Sequence, residues 1–175
     1  MAKKKPTNTS HQIGVAAEAC TAMLLARLGY DVSVQYGANQ PEYDLIAARG
    51  GKMLQISVKG SQDGSWGLTQ SYMKKGKADY HGAIDQWLAK HGKKTVFCLV
   101  QFKDVELLGS PRVYLASPTE IAKRLKETSK GKGDTILHEN KEWTKRAHGY
   151  GTVDRIPESW VMSKERVEEL FARLT

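Results

Sequence analysis

Two adjacent glycines, Gly50 and Gly51, constrain the fold of this chain more than any other feature, because they join two stretches that alternate in polarity. The stretch before them reads PEYDLIAAR and the stretch after them reads KMLQISVKG. Adjacent glycines readily adopt the positive φ angles of a two-residue hairpin turn. Such a turn opposes Arg49 to Lys52 and, further along, Leu45 to Ile56. The sequence therefore predicts an antiparallel β-hairpin of defined register.

This register separates apolar side chains from polar ones. The apolar residues that share one face are Leu45, Ala47, Leu54, Ile56 and Val58. The polar residues that share the other face are Asp44, Gln55, Ser57 and Lys59. In the predicted pairing Asp44 faces Ser57, and Glu42 faces Lys59. A shift of one residue would turn the apolar row toward the polar one, so the buried face maintains the register.

The rest of the chain predicts an α/β fold in which helices flank a mixed β-sheet. Apolar residues recur at helical spacing from Ser10 until Gly29, a typical C-terminal stop. The order Ser117, Pro118, Thr119, Glu120 is a strong helix start, with serine as the N-cap. The other predicted helices cover about 78–90 and the region after Ser163. The predicted strands cover 30–35, 95–102 and 112–116, and residues 135–140 suggest an edge strand.

Three regions follow from these patterns. Residues 1–9 are polar and basic and are interpreted as a flexible arm. Residues 10–128 form the predicted α/β core. Residues 129–175 supply a basic loop, the edge strand and a C-terminal helix that packs on the core.

The charge of the chain favours a polyanionic partner such as nucleic acid. Twenty-seven Lys and Arg against nineteen Asp and Glu give a net charge of +8. No apolar run approaches the roughly 18 residues of a membrane span, so we expect a cytoplasmic protein without membrane contact. Cys20 and Cys98 occupy positions typical of small buried hydrophobic residues, and the five histidines lack zinc-ligand spacing.

Carboxylates beside a lysine on one face of a sheet suit metal-dependent hydrolysis of phosphodiester bonds. Carboxylate oxygens are ligands for Mg²⁺, and a bound ion polarises phosphate and lowers the pKa of an attacking water. A lysine can orient that water or offset charge on the phosphate. The residue types of the hairpin match these tasks.

Between Gly14 and Gly60 the chain resembles the PD-(D/E)xK nuclease superfamily, especially Holliday-junction resolvases and intron- or restriction-type endonucleases. The matching stretches are GVAAEAC, LGY, PEYDLIA and QISVK. The resemblance implies a restriction-endonuclease-like fold with Glu18, Asp44 and Lys59 in the site. It also implies Mg²⁺ or Mn²⁺ as cofactor and DNA as substrate.

Ser57 departs from that pattern, because the family usually has an acid two residues before the lysine. Serine is a poor ligand for Mg²⁺, so another residue must complete the site. Glu18 and Gln55 are ranked ahead of Glu42 as replacements. The predicted catalytic set is accordingly Glu18, Asp44, Gln55 and Lys59, and the predicted metal ligands are Glu18, Asp44 and Gln55.

Two segments are candidates for contact with nucleic acid. The residues of the first, within a predicted loop at 60–77, are Trp66, Gln70, Tyr72, Lys74, Lys75 and Lys77. Lysines there can follow a phosphate backbone while the aromatic rings stack on bases, and the alternative is a solvated loop pinned by one tryptophan. The residues of the second are Lys141, Trp143, Lys145, Arg146, Tyr150 and Arg155.

Three functions remain open from the sequence. The first is a metal-dependent DNA endonuclease, and a homodimer is one expectation for it, since many similar nucleases cut two strands as dimers. The second is a nucleic-acid-binding protein of the same fold whose catalysis is weakened or lost through Ser57. The third is a protein that uses the fold as a scaffold for a protein partner.

Overall fold

A computed structural model of the chain describes residues 8–35, 42–74 and 78–175. Most of the predicted basic arm lies outside these ranges, as do Lys75 and Lys77. Within the described ranges the chain forms helices α1 to α4 and strands β1 to β9. The helices are α1 (Ser10–Arg27), α2 (Tyr80–Ala89), α3 (Pro118–Glu127) and α4 (Lys164–Leu174). The strands are β1 (Asp31–Val34), β2 (Leu45–Arg49), β3 (Lys52–Ser61), β4 (Ser65–Gly67), β5 (Thr95–Gln101), β6 (Arg112–Ala116), β7 (Ile136–His138), β8 (Asn140–Glu142) and β9 (Val153–Arg155).

The main sheet has five strands in the order β1-β2-β3-β5-β6. Neighbouring strands run antiparallel except β3 and β5, which run parallel. A parallel pair needs a crossover connection, and the segment that contains α2 supplies it here. The predicted mixed sheet is confirmed.

The hairpin at its centre has the predicted register over most of its length. Leu45 pairs with Ile56, and Arg49 pairs with Lys52. Gly50 and Gly51 have φ angles of 60° and 76°, which glycine adopts without the steric cost of a Cβ atom. The hairpin and its turn are therefore confirmed.

The two pairs predicted beyond Leu45 are wrong. The N–H of Asp44 donates to the carbonyl of Ile56 at 2.9 Å instead of bonding to Ser57. Strand β2 thus leaves the ladder at Asp44, whose carboxylate accepts a hydrogen bond from the N–H of Val58. Glu42 does not lie opposite Lys59 and instead lies near His91. The reason is that the strands separate where a side chain takes over hydrogen bonds that backbone pairing would otherwise make.

Helix boundaries follow their capping residues. Thr9 and Ser117 form capping boxes with Gln12 and Glu120, so α1 and α3 begin close to where the sequence predicts. Helix α2 begins at Tyr80 rather than at 78, because the Asp79 side chain accepts from the Gly82 N–H and acts as the N-cap. Across the described residues, none of the helices combines the length and the apolar character that crossing a membrane requires.

Helices cover both faces of the sheet. Leu25 of α1 and Leu170 of α4 pack with the apolar row of the hairpin in one buried cluster. Ile84 of α2 and Ile121 of α3 pack with Phe97 of β5 in the other. This three-layer arrangement confirms the α/β class, and it holds β3 between two cores.

Two segments differ from their predicted structure. Within the predicted loop at 60–77, β3 continues to Ser61 and is followed by β4 and a short 3₁₀ helix, Gln70–Tyr72. Strand β7 pairs with β4 in a separate small sheet rather than at the edge of the main one. A further hairpin joins β8 to β9. Strands of three residues are too short to show periodicity, which is why the sequence pattern did not indicate them.

Candidate active site

Asp44 lies at the point where β2 enters the sheet. Its carboxylate Oδ2 accepts a hydrogen bond of 2.6 Å from the N–H of Val58, and its own N–H donates to Ile56. Its carbonyl accepts from the N–H of Gln35, at 2.8 Å. Asp44 is therefore fixed by three hydrogen bonds beside the strand that carries Lys59, and none of the described residues donates to its Oδ1, which leaves that oxygen for a ligand.

Helix α1 crosses β3 at Gly60. A Cβ atom on this glycine would lie 2.7 Å from the carbonyl oxygen of Ile13 and 2.8 Å from its Cγ2 atom. Only glycine permits so close an approach of helix and strand. The crossing brings the next turn of α1, which carries Glu18, toward the end of the strand pair.

The pKa of Glu18 responds to the charges of both Asp44 and Lys59. Burial raises the pKa of Glu18, the negative charge of Asp44 raises it further, and the positive charge of Lys59 lowers it. His11 on the first turn of the same helix also lowers this pKa. The structure thus brings together the helix glutamate, the strand aspartate and the strand lysine that the sequence predicts.

Lys59 has an exposed side chain on a fixed backbone. It pairs with Leu99 in the parallel ladder, and its carbonyl oxygen accepts a hydrogen bond of 2.9 Å from the indole N–H of Trp66. Within the described residues its ammonium group forms no ion pair. The lysine is therefore held in place by its backbone while its charge remains free to meet an anion.

Ser57 and Gln55 add no charge to the site, in contrast to Glu18, Asp44 and Lys59. Ser57 is 3% exposed and adds no negative charge. Gln55 pairs with Ile46 and Thr95, and its Oε1 lies 3.8 Å from where a Cβ of Gly92 would be. Across the described ranges, no hydrogen bond joins the Gln55 side chain to Glu18 or Asp44. The Gln55 side chain lies near the connection to β5, and its role as a metal ligand stays a prediction.

His91 is a residue near the site that the sequence interpretation missed. Its ring packs edge-on against Trp87 and Phe97, at centroid distances of 4.5 and 5.0 Å. Glu42 approaches it, with Oε2 at 3.7 Å from Nδ1. Both ring nitrogens are buried without a hydrogen-bond partner in the described part of the chain.

The pKa of His91 also reports on its surroundings. Burial lowers this pKa, the charge of Glu42 raises it, and the charge of Lys59 lowers it. His91 thus lies within electrostatic reach of the site lysine. From sequence alone, His91 and Gly92 indicated only a helix end, and the spacing of Trp87 and His91 was the signal that could have suggested packing.

Trp66 must be removed from the predicted base-stacking residues. It is 3% exposed, and its ring meets Tyr114 edge-on at a centroid distance of 6.2 Å. A ring in this position cannot stack on a base without leaving the core. Gln70 and Lys74 are exposed, and the half-buried ring of Tyr72 has the ammonium of Lys90 at 5.2 Å from its centroid.

The second predicted contact segment forms the β8–β9 hairpin and its surroundings. Trp143 is half-buried, donates its indole N–H to Asp154, and lies beneath the Lys141 ammonium at 5.6 Å. Lys145, Arg146 and Tyr150 are exposed. The segment therefore has exposed cations, but its tryptophan is hydrogen-bonded within the protein.

Glu18 and Asp44 provide a donor set that fits a hard divalent cation. Mg²⁺ retains several waters and in phosphoryl-transfer sites is held by one or two carboxylates together with substrate oxygens. Both carboxylates are half-buried, and their mutual repulsion is the kind that a cation relieves. Over the described ranges, no group of three or more His, Cys, Asp or Glu side chains is arranged to hold a metal. The ligands available to a divalent cation are thus these two carboxylates together with phosphate oxygens of a substrate.

This chain has the restriction-endonuclease-like fold. Its structure is similar to that of a bacterial homing endonuclease, with a TM-score of 0.51 and 14% sequence identity over 94% of this chain and 95% of that one. A Holliday junction resolvase from the archaeon Archaeoglobus fulgidus also matches, with a TM-score of 0.38 and 16% identity over 72% of this chain and 88% of that one. The fold assignment rests on the first likeness. No protein-family model matches the chain, and no curated protein matches it in sequence.

Proposed function

We propose that this protein is a divalent-metal-dependent DNA endonuclease that hydrolyses phosphodiester bonds. The observation that carries the proposal is the convergence of Glu18, Asp44 and Lys59 where α1 crosses β3 at Gly60. Two carboxylates and a lysine, drawn from a helix and a strand pair, have the chemistry that such hydrolysis needs. The likeness to a homing endonuclease supports the fold in which that chemistry is placed.

Each residue has a distinct task in this proposal. Asp44, fixed through Val58, and Glu18 would hold Mg²⁺ or Mn²⁺, which supplies charge to polarise the phosphate and to acidify an attacking water. Lys59 directs its free ammonium toward the phosphate and offsets the charge that develops there.

Ser57 favours a second candidate, a protein that binds nucleic acid without cutting it. The position two residues before Lys59 holds a buried hydroxyl instead of a carboxylate, so the site has one negative charge fewer than the family pattern. The net charge of +8 is sufficient reason for affinity to a polyanion. This candidate requires no metal, and its affinity for DNA falls steeply with salt.

Cleavage assays separate the two candidates. Wild-type protein is incubated with supercoiled, branched and single-stranded DNA in the presence of Mg²⁺, Mn²⁺ or EDTA. We expect metal-dependent cleavage that Asp44→Ala and Lys59→Ala abolish. The matched controls are Asp31→Ala and Lys52→Ala, which remove the same charges from exposed positions outside the site. Equal activity in all five proteins, or none in any, contradicts the endonuclease proposal.

The oligomeric state is tested on the same material. A duplex presents two strands, and two copies of a single site can cut both of them. We propose a homodimer on duplex DNA, which sedimentation velocity with and without duplex would detect. A single-copy complex that still makes double-strand breaks contradicts this part of the proposal.

A further inference from the structure

A short connection beside the site carries unpaired positive charge. Residues 90–94, with the sequence KHGKK, join α2 to β5, and we call them the lysine loop. Lys90, Lys93 and Lys94 are all exposed. Among the described residues none of the three forms an ion pair, and the Lys90 ammonium lies over the ring of Tyr72. Free lysine charge of this density attracts an anionic partner.

The backbone of the lysine loop is tied to the core. The N–H groups of Lys90 and His91 donate to the carbonyls of Trp87 and Leu88, at 3.1 and 3.2 Å. At the far end, the carbonyl of Lys94 accepts from the N–H of Gln55 at 3.1 Å. The buried ring of His91 lies between these anchors. The loop is therefore a fixed support for its lysines rather than a freely solvated charge run.

The lysine loop and the site lysine belong to one face of β3. His91 of the loop packs on Phe97, which pairs with Ser57, and Lys59 follows two residues later on that face. The charge of Lys59 also lowers the pKa of His91. Two carboxylates face the loop: Glu42, with its side chain more than half exposed, lies near His91, and Glu120 lines the same pocket as Lys93 and Lys94.

The spacing along the strand suits a nucleic-acid backbone. Gln55, which bonds to the end of the loop, and Lys59 are separated by four steps of extended strand, about 13 Å at about 3.3 Å per residue. Successive phosphates of one DNA strand are displaced along the helix axis and also rotated around it, so this span corresponds to only a few nucleotides. A linear array of phosphates can therefore meet Lys59 and the loop together.

We infer that the lysine loop is a phosphate-contact surface that holds the DNA backbone a few nucleotides from the position at Lys59. Lys93 and Lys94 make the backbone contacts, and Lys90 with Tyr72 extends the same surface toward Gln70. The surface reads no bases, since lysine contacts to phosphate carry no sequence information. Its distance from the cleaved bond rests on the proposed function, whereas its affinity for DNA does not.

Binding without cleavage tests the surface directly. Fluorescence anisotropy of a labelled duplex is followed in EDTA over a series of salt concentrations, for wild type and for Lys93→Ala/Lys94→Ala. Each lost phosphate contact lowers the slope of log K against log salt by about 0.9, so the double variant should lose about 2 units of slope. The matched control is Lys52→Ala/Lys164→Ala, which removes two exposed lysines from the hairpin turn and from the opposite face of the sheet. Equal slopes for the two double variants overturn the inference.

Two further measurements separate this inference from the proposed function. Asp44→Ala should keep the wild-type salt slope while cleavage is lost. If wild type never cleaves DNA but Lys93→Ala/Lys94→Ala still loses slope, the surface stands and the endonuclease proposal fails. If wild type cleaves with metal and the slopes of the two double variants agree, only the surface fails. Lysine-dependent binding to phosphatidylserine vesicles that exceeds binding to the duplex overturns the assignment to DNA.

Discussion

The carboxylate of Asp44 accepts a 2.6 Å hydrogen bond from the backbone N–H of Val58, the residue that precedes Lys59. This bond forms just beyond the last ladder pair, Leu45 with Ile56, and it ties the proposed metal ligand to the strand of the site lysine. Asp44 therefore has a structural task in addition to the proposed chemical one, and substitutions can separate the two.

Asp44→Asn and Asp44→Ala should differ in stability but not in activity. Asparagine keeps a carbonyl oxygen for the Val58 N–H, whereas alanine leaves that buried donor unpaired at a cost of about 1–3 kcal/mol. We expect urea unfolding to show this loss for Asp44→Ala alone, and metal-dependent cleavage to disappear in both. Equal unfolding free energies would show that the hydrogen bond contributes nothing to stability.

Gly60→Ala should displace helix α1. The added Cβ would lie 2.7 Å from the Ile13 carbonyl oxygen, so helix and strand must separate and Glu18 must move with the helix. We expect a lower melting temperature and loss of cleavage. Gly14→Ala is the matched control, because a Cβ there meets nothing within 4 Å and alanine favours helix by about 0.5–1 kcal/mol. A fully active Gly60→Ala protein would contradict the importance of the crossing.

Glu18→Gln should stabilise the metal-free protein while removing cleavage. The pKa of Glu18 is raised above 4.5 by burial and by Asp44, so the folded state holds its proton more tightly than the unfolded state. The ionised carboxylate consequently costs stability as pH rises through the folded pKa. Thermal melts should therefore favour Glu18→Gln at neutral pH, with the difference vanishing below pH 4.5. A destabilised Glu18→Gln protein at neutral pH would argue against unrelieved repulsion in the site.

In Ser57→Asp, metal binding should raise the melting temperature more than it does in the wild type. Position 57 is 3% exposed, so a carboxylate there is unfavourable unless a cation accompanies it. We expect a lower melting temperature than wild type in EDTA and a larger increase on addition of Mn²⁺. The same metal response in Ser57→Asp and wild type would place any bound ion away from β3.

Ionisation of Glu120 should make the stability of the fold depend on pH in the acidic range. Burial raises the pKa of Glu120, but hydrogen bonds from Ser117 and Arg166 outweigh it and lower the value to about 2. The carboxylate therefore stabilises the fold above pH 4.5, and this contribution is lost as pH falls toward 2. Melting temperatures measured across that window should converge between wild type and Glu120→Gln. Parallel curves would show that Glu120 is not the titrating group.

The hairpin could be predicted because its determinants are local. Two glycines supply the turn, and alternation over β2 and β3 leaves one register that buries the apolar row. The start of α3 was likewise readable from Ser117 and Glu120, which cap the same helix turn. Glu18, Asp44 and Lys59 were found through the resemblance of a short stretch to a known pattern.

The features that could not be predicted depend on contacts between distant parts of the chain. The Asp44 bond to Val58 forms where strands separate, which alternation does not reveal. The contact of His91 with Glu42 joins residues on either side of the α2 crossover. Trp66 sits in a three-residue strand whose burial depends on Tyr114 and β7. Gln55 lies on β3 as predicted, and its role as a metal ligand stays a prediction.

The parallel pairing of β3 with β5 has a consequence for synthesis of the protein. The ribosome releases the hairpin with Asp44 and Lys59 well before Thr95–Gln101 of β5, so one long edge of β3 has no backbone partner meanwhile. Residues 62–94 must be synthesised before that edge can close, and such distant pairing forms slowly. A polypeptide truncated before Thr95 would keep Glu18, Asp44 and Lys59 but would expose the unpaired edge of β3. We expect such a polypeptide to aggregate.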